Sequence, residues 1–465
     1  MKKVLLGIIA SFLFLVLLLF QFNMISARED NPLPLVSAAI KLAWNNSDIE
    51  AINGTPEKYL VKITDDIDPV ITLMETRGWH FKEQMESGIV FVKQGELMTV
   101  GSRMFTNKYM IISVPRPDYP VAGKDAEIIS LVAAGDILMH NTVIAAGKRG
   151  DIYNFDQFFA PVKHLIEEGD YASVDLETAL AGPSSGYTGY PAFNSPDSIA
   201  DALKSNGFDL VVTANNHTMD RGYQGALRTL DVLRQAGLDT SGTYKTAEEK
   251  KNFLIKDIRG VKVGFLTYSY GTNGIALPSD KPYFFNSLDR DKVMTDITAL
   301  RPHVDLVVLI LHWGVEYSPY PTEQQRKLAI SFFQQGADVI FGSHPHVIQP
   351  MEVMQINGQD KFVIYSMGNF MGNQIGVERN SGVILNLRFT KSLPDGPTVL
   401  TRVSSTPTFI HPYYVNGQRL FRVVPIEETM KAIKEGQDPY LGEDSLPLLQ
   451  QVLDTTNQTL NHSLQ

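Results

Sequence analysis

The chain has 465 residues, of which 44% are hydrophobic, with 35 glycines and 25 prolines; this length and composition favour two or three globular domains. A formal net charge of −10 argues against nonspecific binding to nucleic acid or to an anionic membrane surface. Because there is no cysteine, disulfides, thiolate metal sites and a cysteine nucleophile are excluded. Any metal ligand must be histidine, aspartate, glutamate, asparagine or water.

The N-terminus has the pattern of a membrane anchor. Lys2 and Lys3 precede an uncharged apolar run at 4–20, which is about long enough to cross a bilayer. The leading positive charges predict that the N-terminus stays inside and that the main domains are extracellular. A cleaved signal peptide ending near 25–27 is the alternative, but the length of the run favours a retained transmembrane helix within 1–24.

Residues 28–120 are predicted to form a small α+β module. Apolar residues at helical spacing predict a helix at 35–45. Asp68 as N-cap and Pro69 at the first helical position predict a second helix that ends near residue 77. Alternating apolar stretches predict three strands, and a proline-rich linker at 115–120 follows them. The three strands are expected at 88–92, 96–100 and 109–114.

From residue 127 onward, strand patterns alternate with helix patterns, which predicts an α/β domain at 127–375. The predicted strands are 128–134, 171–174, 210–213, 261–267, 305–311 and 337–341. The predicted helices are 199–205, 225–236, 291–300 and 322–335. Asn-Gly pairs at 357–358 and 416–417 predict two β-hairpins. The second hairpin and a polar helix from about residue 445 are assigned to a C-terminal extension at 376–465.

Five of the predicted strands end in polar side chains. In α/β sheets ligands bind beyond the carboxyl ends of the strands, so these termini are expected to converge on one crevice. When the segment 215–217 after the third strand is considered alone, an Asn-rich turn is the alternative interpretation. In chain order the polar residues are Asp136 and His140; Asp175 and Glu177; Asn215, Asn216 and His217; His312 and Glu316; His344 and His346.

Such a crevice suits metal-assisted hydrolysis with one or two divalent cations. Mixed oxygen and nitrogen ligands favour Mn, Fe or Zn over calcium. His344 and His346 are the strongest pair, because an extended segment would place both imidazoles on one side, with Pro345 limiting the conformations between them. His312 is a further expected ligand, and Asp175 and Glu316 are expected to orient histidines.

Six motifs, in the same order throughout, resemble the CapA family of poly-γ-glutamate capsule biosynthesis proteins, whose core is similar to calcineurin-like metallophosphoesterases. The resemblance covers residues 128–370. It implies a four-layer αββα core, a membrane or envelope location and a role in making or exporting a capsule polymer. The motifs are Ala134-Gly135-Asp136-Ile137-Leu138, Asp175-Leu176-Glu177, Ala214-Asn215-Asn216-His217, His312-Trp313-Gly314-Val315-Glu316, Gly342-Ser343-His344-Pro345-His346 and Tyr365-Ser366-Met367-Gly368-Asn369-Phe370.

The resemblance also implies a role for each site residue. Asp136 would hold one metal and Glu177 would bridge two; His217 would act as a general acid. Asp220 is expected to orient the His217 motif, and the segment that ends at Asn369 is expected to shape the substrate side. The remaining ligands are divided between the two sites, with Asn216, His312 and His344 in one and His346 in the other.

Two positions depart from the phosphoesterase pattern. Leu138 occupies the place of a histidine, and the bridging residue is Glu177 in place of aspartate. One site therefore lacks a ligand unless His140 or water supplies it. Two hypotheses follow: a membrane-anchored enzyme acting on a phosphoester, the polymer or its lipid carrier, or a noncatalytic, polymer-binding subunit that accompanies membrane-embedded polyglutamate synthase subunits.

Overall fold

The computed structural model describes residues 33–44, 47–52, 58–63, 67–85, 88–93, 96–104, 108–114, 126–393 and 396–462. The chain divides into two compact units, residues 1–119 with 463–465, and residues 120–462. The predicted anchor at 1–24 and the predicted linker at 115–120 lie outside the described residues. Within the described ranges, no helix combines the length and the apolar character needed to cross a membrane.

In its described residues, the smaller unit has two helices and one antiparallel sheet of six strands, in the order β1-β2-β6-β5-β4-β3. Its core contains Phe91, Ile112 and Met74. The helices are α1 (Leu33–Trp44) and α2 (Asp68–Glu75). The strands are β1 (Ile49–Ala51), β2 (Lys58–Lys62), β3 (His80–Met85), β4 (Gly88–Lys93), β5 (Glu96–Met104) and β6 (Tyr109–Ser113).

The sequence predicted both helices and three of these strands. Asp68 was wrong as the N-cap, because Ile67 occupies that position and Asp68 is the first helical residue. Strands β1, β2 and β3 were missed. β1 is only three residues long, and β3 is rich in polar residues, so neither shows the apolar alternation on which the prediction depended.

The first sheet of the larger unit follows the order β12-β11-β10-β7-β20-β21-β22, with β19 beside β7. Its strands β7, β10, β11 and β12 run parallel, so their carboxyl ends share one edge. The strands are β7 (Ala126–Ile137), β10 (Tyr171–Leu176), β11 (Leu210–Val212), β12 (Asp239–Ser241), β19 (Asn369–Met371), β20 (Ser381–Ser392), β21 (Thr398–Val415) and β22 (Gln418–Pro425). A separate two-stranded ribbon joins β8 (Lys148–Arg149) to β9 (Ile152–Tyr153).

The second sheet follows the order β13-β14-β15-β16-β18-β17, and its β14, β15, β16 and β18 are parallel. Leu131 and Val212 of the first sheet share one buried cluster with Val308 and Ile364 of the second, so the sheets pack face to face. The strands are β13 (Leu254–Ile258), β14 (Val261–Ser269), β15 (Leu306–His312), β16 (Val339–Ser343), β17 (Met351–Ile356) and β18 (Gln359–Ile364).

Helices cover the outer face of each sheet. Leu203 and Leu233 join Val132 and Val174 in a cluster outside the first sheet. On the second sheet, a Cβ at Gly264 would lie 2.7 Å from a Leu300 methyl group, so α9 packs directly on β14. The helices are α3 (Asn141–Gly147), α4 (Asp156–Phe159), α5 (Lys163–Glu167), α6 (Ser198–Ser205), α7 (Gly222–Gln235), α8 (Ala247–Lys251), α9 (Arg290–Leu300), α10 (Glu323–Gln335), α11 (Ile426–Lys434) and α12 (Leu446–Leu460).

The larger unit is therefore a four-layer αββα domain, as the resemblance implied. Both predicted hairpins are present, and Asn357 and Asn416 have the positive φ that a tight turn of this type requires. Residues from 376 onward supply β20, β21 and β22 of the first sheet. The final helix α12 is amphipathic and not polar throughout, because Leu449, Val452 and Leu453 are buried against α11 and β22.

Candidate metal centre

The strand ends bring seven of the predicted residues to one buried place. Because β7, β10 and β11 are parallel within one sheet and β14, β15 and β16 within the other, their polar termini collect where the two sheets meet. Every one of these side chains is at most 4% exposed. They are Asp136 in β7, Glu177 after β10, Asn216 and His217 after β11, His312 at the end of β15, and His344 and His346 after β16.

Several ligand atoms in this cluster are buried without a hydrogen-bond partner. They are Oδ1 of Asp136, both carboxylate oxygens of Glu177 and Nδ1 of His344. His312 Nε2 lies 3.2 Å from Oε1 of Glu177, close in distance although the pair does not form a well-directed hydrogen bond. Buried polar atoms are normally satisfied, so their convergence here fits a bound cation. The nitrogen and carboxylate donors suit Mn, Fe or Zn.

The ligand atoms fall into two groups, in each of which they lie within 4.8 Å of one another. The first group contains Glu177, His344 and His346, and all its members were predicted ligands. The second contains Asp136, His312 and also Asp175. Asp175 is better understood as a support, because both its oxygens already accept hydrogen bonds, Oδ1 from Asn215 and Oδ2 from Ser343.

Asp175 orients His312. The Nδ1 nitrogen of His312 lies 2.8 Å from Oδ2 of Asp175, which leaves Nε2 to face the cluster. There Nε2 lies 2.9 Å from Oδ1 of Asn216. An imidazole fixed through one nitrogen by a carboxylate, with the other nitrogen directed towards the ligands, is the arrangement found around protein metal ions. The prediction that Asp175 orients a histidine agrees with this geometry.

The His344 and His346 segment has an unexpected backbone. Both residues have positive φ angles, of 96° and 58°, so the predicted extended segment is wrong. The turn nevertheless places the two rings 5.9 Å apart and directs the backbone N–H of His344 to Oδ2 of Asp136. Residues held in this left-handed region cost on the order of 1–3 kcal/mol each and concentrate at functional sites.

The charges in the cluster are strongly coupled. Burial and the nearby Glu177 together raise the pKa of Asp136 to about 6. Burial would lower the pKa values of His312 and His346, but Glu177 and its neighbouring carboxylates outweigh it and raise them to about 10 and about 9. Burial and the charge of His312 hold the pKa of His344 well below its usual range. The carboxylates thus favour the positively charged forms of His312 and His346.

His217 lies next to the ligands and has a carboxylate partner. Its Nδ1 is 2.8 Å from Oδ2 of Asp220, and the same oxygen accepts the backbone N–H of Phe193. The Phe193 ring packs edge-on against the imidazole at 4.6 Å. Among the described residues, Nε2 of His217 has no hydrogen-bond partner, so it is the nitrogen available to a substrate. The predicted orienting role of Asp220 agrees with these contacts.

Three further predicted residues lie at different distances from the centre. Asn369 is fully buried, and its Oδ1 lies 3.1 Å from Nδ1 of His346. His140 accepts a hydrogen bond from the backbone of Asn373 and is absent from both groups of ligand atoms, while burial lowers its pKa to about 4. Glu316 was wrong as a support for a histidine, because its side chain is exposed and belongs to neither group of ligand atoms.

Sequence reasoning missed the aromatic residues at the edge of the centre. The Tyr270 ring lies 4.5 Å from that of His344, and the Tyr317 ring lies 6.1 Å from that of His346. Arg379 stacks over Tyr317 with its guanidinium carbon 3.7 Å from the ring centre. Tyr270 could have been found, because it directly follows β14, a predicted strand whose end was left out of the comparison of termini.

A comparison with protein families matches residues 130–374, more than half of the chain, to the family described as "Bacterial capsule synthesis protein PGA_cap". The chain belongs to this family. The matched segment runs from β7 to just beyond β19, so it contains every residue of the candidate centre. The predicted resemblance is therefore confirmed, and the other capsule synthesis proteins provide the relevant comparison.

Two curated capsule synthesis proteins are each 28% identical to the chain. "Capsule biosynthesis protein CapA" of Bacillus anthracis aligns over 263 residues, 55% of this chain and 62% of that protein. "PGA biosynthesis protein CapA" of Bacillus subtilis aligns over 296 residues, 60% and 76% of the two chains. The first match thus spans less than two thirds of its relative. The solved structure of the calcineurin-like phosphoesterase YfkN of Bacillus subtilis aligns with 70% of this chain and with 99% of its own chain. The sequence identity is 14% and the TM-score is 0.36.

Proposed function

We propose that this capsule synthesis protein is a metal-dependent enzyme that hydrolyses or transfers a phosphoester during the synthesis or export of poly-γ-glutamate. The observation that carries the proposal is the convergence of unpartnered buried ligand atoms from Asp136, Glu177 and His344. They lie beside His217, whose free nitrogen is oriented by Asp220. A cation site of purely structural use would not require a poised histidine at its edge.

The ligands divide the work in this proposal. Glu177, His344 and His346, whose ligand atoms lie close together, would hold one ion. Asp136 and His312, with the adjacent Asn216, would hold a second if it binds. A bound divalent ion would supply Lewis acidity to a phosphoryl oxygen and to the attacking water. Asp175 would keep the Nε2 of His312 directed inward throughout, through its 2.8 Å contact with Nδ1.

His217 would act as the general acid. Nδ1 of His217 donates a hydrogen bond to Oδ2 of Asp220, so the proton that leaves the imidazolium does so from Nε2. That proton would pass to the leaving oxygen as the bond from phosphorus to that oxygen breaks. The product histidine would then be neutral, with its remaining proton still shared with Asp220. Phe193 excludes water from one side of the ring.

The protein would act outside the cell, anchored by residues 1–24. The support is the sequence pattern of two lysines followed by an apolar run, which matches a single membrane-spanning helix with its N-terminus inside. This placement would put the site where a polymer leaves membrane-embedded synthase subunits. A protease added to intact cells should remove the large domain, and protection of that domain would contradict this placement.

A noncatalytic, polymer-binding role is the second candidate. It is favoured by Leu138, a buried leucine at the position where the resemblance leads one to expect a histidine ligand. With one ligand fewer, a metal there would be held more weakly, and a single ion could serve to bind polymer carboxylates. The names of two relatives fit either role: "PGA biosynthesis protein CapA" of Bacillus subtilis and "Probable polyglutamine synthesis accessory protein" of Mycobacterium tuberculosis.

Turnover by the purified full-length protein separates the two roles. Phosphodiester model substrates are assayed with Mn, Fe or Zn for the unaltered protein, for His217→Ala and for His164→Ala. His164 is an exposed histidine paired with Glu428, away from the centre, and serves as the matched control. A loss of turnover of about 10²–10⁴-fold in His217→Ala alone, with unchanged metal content, supports the enzyme. Absence of turnover with each of the three metals, together with loss of the capsule on deletion of the protein, would contradict the enzyme and favour the accessory role.

A further inference from the structure

A second cleft, of about 250 Å³, adjoins the candidate centre. One wall is the segment that follows His346 together with Tyr317 and Arg379, and the opposite wall is one face of α12. Tyr317 belongs to both places, because its ring also packs against that of His346. The cleft is therefore a continuation of the site and not a separate cavity elsewhere on the domain. Pockets that enclose whole drug-sized ligands measure about 300–1,000 Å³, so this one suits a single small unit of a longer molecule.

Arg379 gives this cleft its positive charge. Its guanidinium stacks on Tyr317 at 3.7 Å and, among the described residues, forms no ion pair with a carboxylate. Its backbone carbonyl accepts a hydrogen bond from Asn369, whose Oδ1 contacts His346, so the arginine is tied to the centre through one residue. A stacked guanidinium is held in place and presents its edge to an anion, which favours recognition of a planar carboxylate.

The opposite wall is uncharged and, apart from Val452, polar. Gln451, Thr455 and Thr459 recur every four residues, so they share one face of α12 that lines the cleft. Within the described part of the chain, the side chains of Gln451 and Thr455 have no hydrogen-bond partner, and Thr459 uses its hydroxyl proton on the carbonyl of Thr455. Amide and hydroxyl groups of this kind can bond the N–H and C=O groups of an amide-linked chain.

We infer that this cleft is a subsite for one carboxylate-bearing unit of an amide-linked acidic polymer, with the carboxylate on Arg379 and the amide groups along α12. The inference deepens the proposed function, on which it rests. A dianionic phosphate would require more positive charge than one arginine, and Glu378 at the rim would oppose it further. Since the whole chain carries a net charge of −10, an acidic polymer needs such a local cation to bind.

Binding of labelled oligomers tests the subsite directly. A fluorescent γ-linked decaglutamate and a γ-linked decaglutamine of equal length are titrated into the full-length protein and followed by anisotropy. Arg379→Gln should weaken decaglutamate binding by about tenfold or more, since it removes a hydrogen-bonded charge pair. Arg379→Lys should be intermediate, because lysine lacks the planar edge. Thr455→Val should weaken both oligomers by severalfold.

Two controls make the result decisive. Glu378→Gln removes the opposing charge at the rim and should leave binding unchanged or make it tighter. Inorganic phosphate is added as a competitor to test the alternative ligand. Complete displacement of the labelled decaglutamate by phosphate, at concentrations at which unlabelled decaglutamate displaces it poorly, would overturn the inference. Equal decaglutamate affinity in Arg379→Gln and the unaltered protein, with both folded by circular dichroism, would overturn it as well.

Failure of the proposed function gives a different pattern. If the metal centre performs no catalysis, turnover is absent but binding still depends on Arg379, and the subsite stands. If the subsite is wrong, turnover of small phosphodiesters is intact while Arg379→Gln leaves polymer binding unchanged.

Discussion

The Nδ1 nitrogen of His312 lies 2.8 Å from Oδ2 of Asp175, and Ser343 donates its hydroxyl proton to the same oxygen over 2.7 Å. All three side chains are at most 2% exposed, so the arrangement is shielded from water. The carboxylate thereby fixes which nitrogen of His312 faces the ligand cluster. The metal affinity of the centre should consequently depend on a residue that does not itself bind the ion.

Replacement of Asp175 by asparagine is expected to weaken metal binding without unfolding the domain. The amide offers one acceptor where the carboxylate offers two, so His312 loses its fixed orientation. Loss of such a supporting group typically costs about 10–100-fold in metal affinity. Titration calorimetry with Mn²⁺ measures the change, and Ser343→Ala, which removes one of the hydrogen bonds, should show a smaller effect. Unchanged affinity in Asp175→Asn would refute the supporting role.

Asp220→Asn should slow turnover while the metal stays bound. The asparagine cannot stabilise a positively charged His217 in the way that a carboxylate 2.8 Å away does. The expected loss in kcat is at least tenfold, a part of the roughly 10²–10⁴-fold that general acid catalysis contributes. Metal content measured by mass spectrometry should match that of the unaltered protein. A variant that lost metal and turnover together would place Asp220 among the structural supports of the ligands.

Glycines in two motifs are required by close backbone contacts. A Cβ at Gly135 would lie 1.9 Å from the carbonyl oxygen of Gly368, and one at Gly342 would lie equally close to that of Tyr365. Gly135→Ala is therefore expected to lower the free energy of unfolding by more than about 2 kcal/mol. Gly271→Ala is the matched control, because nothing lies within 4 Å of its Cβ position. Urea unfolding compares the two, and equal midpoints would contradict the packing argument.

His411 should make the large domain sensitive to acid. Burial and the charge of Arg422 lower the pKa of His411 to about 4, and Arg422 Nε donates to its Nδ1 over 3.0 Å. Asp438, bonded to the same arginine, opposes the shift in part. Because the folded-state pKa lies below the unfolded value of about 6.5, the unfolded chain binds more protons between these values. The stabilising effect of the neutral histidine is complete above pH 6.5 and falls as the pH drops towards 4.

A comparison with His411→Gln measures that effect. Glutamine can accept the hydrogen bond from Arg422 and does not titrate. Between pH 7.5 and pH 5.0 the unaltered protein should lose on the order of 1–2 kcal/mol of stability more than the variant. Urea unfolding at the two pH values gives the difference. If both proteins lose the same stability between the two pH values, His411 does not contribute to the acid sensitivity.

The ligand set was predictable because strand ends obey a simple rule. Parallel strands deliver their carboxyl ends to one edge, so Asp136, Glu177 and His344 could be grouped from their positions after apolar runs. The backbone of His344 was not predictable in this way. Its positive φ arises from a close-packed turn in which Gly342 touches Tyr365, and that neighbour is distant in the sequence.

Residues that reach the site from outside the motifs could not be predicted from the sequence either. Tyr317 and Arg379 meet by stacking across 62 positions, and neither lies at a strand end. The β20 strand was missed although Val383, Leu385, Leu387 and Phe389 alternate along it and are buried between the two sheets. This buried face and the hydrogen bonds to β7 and β21 hold β20 in the sheet.

The most direct test of the account is the metal content of a variant that lacks both histidines of the β16 turn. Glycine suits the positive φ at these positions, so His344→Gly with His346→Gly removes two ligands with little backbone strain. The proteins are loaded with Mn, Fe or Zn, desalted and measured by inductively coupled plasma mass spectrometry, with His164→Ala as the control. The unaltered protein and the control should retain at least one equivalent of metal, and the double variant should retain far less. Equal metal content in all three would contradict the assignment of this cluster as a metal centre.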